Sequence, residues 1–107
     1  MLTIFMKERE VNSIRLTEVF NIGNGVSKQY SLRSVYINPS HVICLREDAV
    51  LKNRLNEGTL IEGLDDRQEF TRITVDKSNL HADIVVIGQI DEIYKKLYIE
   101  TRNVLRG

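Results

Sequence analysis

Hydrophobic and polar residues alternate through much of the first 90 residues, and from Gln89 the repeat lengthens to about 3.6 residues. Leu2, Ile4 and Met6, set off by Thr3 and Phe5, predict a short first strand that Lys7-Glu8-Arg9-Glu10 interrupts. Alternation returns from Ser13 to Phe20, with Ile14, Leu16 and Phe20 on one side and Arg15, Thr17 and Val19 on the other. Asn21-Ile22-Gly23-Asn24-Gly25 follows, and its Asn-Gly pair tolerates the positive φ angles of a tight turn. A hairpin pairing about 13–20 with 28–37 is the expectation. Its second arm, through Tyr30, Leu32, Val35, Tyr36 and Ile37, stops at Asn38-Pro39-Ser40, where proline removes a ladder donor and makes a corner.

His41 to Arg46 reads as a strand apolar on both faces, hence covered on both sides. Asp48 is placed to cap a short helix over 49–57, with Leu51 and Leu55 four apart and Gly58 at its end. A strand through Val50 and Leu51, or an irregular loop, is the competing reading. Gly58, Gly63 and Asp65-Asp66 make 58–68 the most loop-like interval and the one expected to move or meet a partner. Phe70 to Val75 alternates as a strand with Thr71, Ile73 and Val75 on one side, and Asp76-Lys77-Ser78-Asn79 is expected to turn. Ile84-Val85-Val86-Ile87 is the most β-branched run and should be central in the sheet. Beyond Gly88, Ile90, Ile93, Leu97, Thr101 and Val104 form one stripe, predicting an amphipathic helix over 89–105. Asp91 and Glu92 early in it, with Lys95, Lys96, Arg102 and Arg106 later, suit the helix dipole.

These elements predict one α+β domain over 1–107: a twisted, partly closed antiparallel sheet of five or six strands with a C-terminal amphipathic helix. A length of 107 residues suffices for a single core. Fifteen basic residues cancel fifteen acidic ones, which denies the chain the whole-molecule field of a non-specific nucleic-acid binder. No apolar run approaches a membrane span, and the N-terminal run meets charge too soon for a signal peptide; the cytoplasm of a bacterium or of an infected host cell is the expected compartment. The lone Cys44, in Val42-Ile43-Cys44-Leu45, is expected to be a small buried thiol.

Ser34-Val35-Tyr36-Ile37-Asn38-Pro39-Ser40-His41-Val42-Ile43-Cys44-Leu45-Arg46-Glu47 resembles the opening of the FlbD-like small flagellar proteins, where a strand ends in an Asn-Pro corner and the next returns at once. Arg72-Ile73-Thr74-Val75 and Val85 to Ile93 resemble that family's later strands and closing helix. The likeness covers about half of the chain. An extra N-terminal hairpin and a long segment over 48–69 depart from it. It implies a small β scaffold of regulatory or structural role and supplies no catalytic residue. The proportions also resemble those of small bacteriophage accessory proteins that bind a host factor.

Candidate chemistry is sparse. Ser40 and His41 invite a nucleophile reading, but adjacent strand residues point apart, so His41 is read as a strand-edge residue. His81 falls in an expected loop. Cys44, His41 and His81 lack zinc-site spacing, and Asp65-Asp66 with Glu69 and Asp76 lack that of a calcium loop. No catalytic residue, metal ligand or cofactor is assigned. The expectation is a non-enzymatic binding or regulatory protein with a protein partner, a host factor or a second copy of itself. Tyr94, Tyr98, Arg102 and Arg106 on the terminal helix would contribute, with Asp65 and Arg67 in the 58–69 loop, because tyrosine and arginine combine contact area with a polar end. The alternative is single-stranded RNA or DNA on a sheet face carrying Arg15, Lys28, Tyr30, Arg33, Tyr36 and Arg46, a mixture of cation and stacking surface.

Overall fold

The computed structural model describes residues 13–23 and 29–100. The strand expected at 2–6, the Asn24-Gly25 turn and the helix beyond Glu100 lie outside them. Five antiparallel strands form an unclosed sheet: β1 (Ile14–Asn21), β2 (Tyr30–Ile37), β3 (Val42–Glu47), β4 (Phe70–Lys77) and β5 (Leu80–Ile87). Their order is β2-β1-β5-β4-β3. The expected hairpin is present, with Ile14 opposite Ile37 and Asn21 opposite Tyr30. β5, which holds the all-aliphatic run 84–87, is the central strand, as expected.

The two edges, β2 and β3, are consecutive in the chain and joined only through Asn38 and a 3₁₀ turn, Pro39–His41. Asn38 caps this turn: its Oδ1 accepts from the backbone N–H and the hydroxyl of Ser40, at 3.0 and 2.8 Å. The corner therefore carries the chain from one edge of the sheet to the other. One face then gathers Leu16, Ile37, Ile73 and Val86 with Ile93 and Leu97 of the terminal helix. The other packs Val19, Phe70 and Val85 against Leu51 and Leu55 of α1 (Ala49–Asn56) and against Leu60. Burying each such aliphatic side chain is worth about 1.5–3 kcal/mol.

Several expectations are corrected. β3 is an edge strand, not a covered one, and a bulge between Val42 and Cys44 leaves Ile43 half-exposed. Apolar residues on a short edge strand mimic an interior strand in sequence, since composition does not say which neighbour is missing. Cys44 is only partly buried. The turn after β4 is confined to Ser78 and Asn79, both at positive φ, so Asp76 and Lys77 remain in the ladder. His81 consequently lies on β5 opposite Asp76, not in a loop, and His41 belongs to the 3₁₀ turn, not to a strand.

Asp48 caps α1 as expected, its Oδ1 accepting the Leu51 N–H at 2.9 Å. The 58–68 interval is held down: Leu60 is buried, Ile61 and Leu64 join the second core, and Lys52 Nζ donates to the carbonyls of Asp66 and Gln68 at 2.9 and 2.8 Å. The terminal helix starts as α2 (Ile90–Tyr94) and widens to π-type winding over Lys95–Glu100. Ile93 and Leu97, four apart, both sink into the core, while Tyr98 packs against its margin and Tyr94 stays half-exposed beside it.

Candidate functional site

The open edge of the sheet and the terminal helix enclose a groove of about 520 Å³, lined by Val42, Ile43, Cys44, Leu45, Ile90, Asp91, Tyr94 and Tyr98. β3 supplies one wall because its outer side has no strand neighbour, and its bulge turns Ile43 out of the regular alternation. α2 supplies the other. Asp91, Tyr94 and Tyr98 fall on one helical ridge beside the buried Ile93 and Leu97. Ile43 is 49% exposed and Tyr94 51% exposed, so two large apolar side chains face solvent across the cleft.

The tyrosine rings stand 5.1 Å apart at 49°, a tilted pair of the favoured kind. Tyr98 is the inner member, and its hydroxyl donates to the Pro39 carbonyl at 3.4 Å, which ties the helix to the corner. Burial, reinforced by Tyr94, raises the Tyr98 phenol above its ordinary value. Cys44 brings a thiol to the wall. The groove is thus mainly aliphatic and aromatic, with two hydroxyls, one thiol and one carboxylate.

The other expected binding residues are distributed differently. Asp65 and Arg67 pair with each other at 2.8 Å, which lowers the Asp65 carboxyl and raises the Arg67 guanidinium from their ordinary values. Their loop packs on the sheet face opposite the terminal helix, so the two expected partner-binding regions do not form one surface. Arg102 and Arg106 lie outside the described residues, as does Lys28. The expected nucleic-acid set is not brought together. Arg15, Tyr30 and Tyr36 share one side of the hairpin by alternation, whereas Arg33 lies on the other, across from Glu18. There it makes a two-pronged contact with the buried Glu18 carboxylate (2.9 and 3.4 Å) and stacks 4.0 Å from the Phe20 ring. The Glu18 contact raises its pKa. Arg46 is on β3, the opposite edge of the sheet from β2.

Arg46 instead joins a cluster that sequence reasoning missed. It faces Arg72 directly across the β3–β4 ladder, and carboxylates offset that repulsion. Arg72 donates to Asp48 at 2.7 Å and approaches Asp83 at 3.6 Å, while Arg46 reaches Asp83 at 3.7 Å. Thr74 completes the cluster, its hydroxyl donating to Asp83 at 2.7 Å. The alternating positions of 72 and 74 carried the only signal, and pairing across three strands is invisible before the register is known.

Among the described residues no three or more His, Cys, Asp or Glu side chains assemble into a metal-holding group. His41 lines a separate hollow of about 180 Å³ with Tyr36, Ile37, Asn38, Val75 and Asp76. No described helix is long and apolar enough to cross a membrane. No family model, curated protein or solved structure matches the chain, so the likeness to FlbD-like proteins rests on the quoted motifs alone.

Proposed function

We propose that this protein is a non-enzymatic binding or regulatory domain that receives a protein partner in the groove between β3 and the terminal helix. The observation that carries this reading is the pair Ile43 and Tyr94, each about half exposed on either side of an apolar cleft at an unpaired sheet edge. An apolar cleft of this size with a few polar groups suits side-chain capture, and an edge strand offers backbone donors and acceptors beside it. A regulatory role agrees with the FlbD-like resemblance. A cytoplasmic compartment, and a phage accessory role with a host factor as partner, belong to the same proposal.

The deciding experiment is affinity capture from the source cell with and without nuclease, using the wild-type chain and Ile43→Asp. One defined protein, retained after nuclease and lost with Ile43→Asp, is the expected result. Retention that vanishes with nuclease would transfer the function to nucleic acid. Retention indifferent to Ile43→Asp would remove the groove.

A further inference from the structure

Asp91 is the one charged residue among the eight that line the groove. It is exposed at the start of α2, and no cation is paired with it among the described residues. Tyr94 and Tyr98 follow it on the same ridge, so the helical wall of the groove carries a carboxylate and two aromatic rings beside the aliphatic side chains of Ile43, Leu45 and Ile90. A wholly apolar occupant would strip water from Asp91 and return nothing. An occupant with an apolar stem and a cationic tip satisfies both halves of the lining: methylenes lie along aliphatic walls, and an ammonium or guanidinium is attracted by carboxylates and by aromatic faces.

We propose that the groove selects a lysine or arginine side chain on the partner protein, its stem against Ile43, Leu45 and Ile90 and its charged end between Asp91 and the tyrosine pair. This rests on the binding reading above and names the partner's chemistry. The bulge fits the role, since it irregularises the strand edge at Ile43, which lines the groove.

The test is panning of a random phage-displayed peptide library against the full chain. The best-enriched peptide is then made with a fluorescent label for anisotropy titration. Enriched peptides should share a Lys or Arg beside an apolar residue. Replacing that residue by norleucine, or the protein's Asp91 by Asn, should weaken binding about three- to tenfold, as should raising the salt. Asp91→Glu should restore it, and Ile43→Asp should abolish it. Asp91 and Ile43 are both solvent-facing, so circular dichroism of these variants should match wild type.

Peptides that depend on Ile43 but lack a basic residue, or ignore Asp91→Asn, would overturn the cation selection and leave the groove as a binding site. Enrichment indifferent to Ile43→Asp and Tyr94→Ala, or none above the bare surface, would overturn both proposals. A concentration-dependent dimer dissolved by Ile43→Asp would assign the groove to a second copy and likewise refute the basic side chain.

Discussion

Gly88 lies so close beneath Ile93 that a Cβ at position 88 would stand 2.7 Å from the Ile93 Cδ1 and 3.2 Å from its Cγ1. This contact sets the angle at which the chain leaves the central strand and lays its helix on the sheet. Gly88 has φ of +139°, its N–H donates to the Glu69 carbonyl at 2.8 Å, and its own carbonyl accepts from the Thr71 hydroxyl at 2.9 Å. The strand exit is therefore pinned on both polar groups. Gly88→Ala should destabilise the protein by about 2–4 kcal/mol, combining an unfavourable φ with overpacking. Urea unfolding measures it. If the clash is the cause, Ile93→Val in the same chain should recover part of the loss, and strict additivity would count against that cause.

Asp48 serves two masters, the first turn of α1 and the guanidinium of Arg72, and its side chain is only 2% exposed. Asp48→Ala should cost about 2–4 kcal/mol, since it removes a cap and leaves Arg72 without its closest partner. Asp48→Asn keeps the capping oxygen and should cost about half as much. Equal losses for the two substitutions would mean that charge, not capping, dominates.

Ser78 and Asn79 have φ of 48° and 70°, the signature of a two-residue turn whose twist matches its strands. Serine is a poor occupant of that region. Ser78→Asn together with Asn79→Gly should stabilise the hairpin by about 0.5–1 kcal/mol. A lower unfolding midpoint would show that these positions are already relaxed.

The raised Tyr98 phenol makes stability depend on alkaline pH. The folded protein holds that proton more tightly than the unfolded chain does. The resulting stabilisation is complete below the ordinary tyrosine value of about 10 and fades as pH rises through the folded value. Wild type should therefore lose more stability than Tyr98→Phe between about pH 9 and 11.5. Parallel curves for the two proteins would refute the linkage.

Alternation and period carried most of the element map. The hairpin, the Asp48-capped helix and the central place of residues 84–87 were all legible, because each follows from local backbone preference and the face a side chain must bury. The edge position of β3 was not. Val42-Ile43-Cys44-Leu45 has the composition of an interior strand, and its missing neighbour is a property of strand order. For the same reason the set Arg15, Tyr30, Arg33, Tyr36 and Arg46 looked like one surface, although Arg33 is committed to Glu18 on the opposite face.

Local chain preferences thus specified most of the strands and helices, though not the start of β5 at Leu80, and placed Tyr94 and Tyr98 on one helical ridge. Long-range pairing specified the rest: which strand stays uncovered, that Arg72 sits between Asp48 and Asp83, and that the ridge faces the uncovered strand across a cleft. Periodicity reports on neighbours within about one turn or one pleat. A groove is made by residues some fifty positions apart, such as Ile43 and Tyr94, whose meeting depends on the register and curl of the whole sheet.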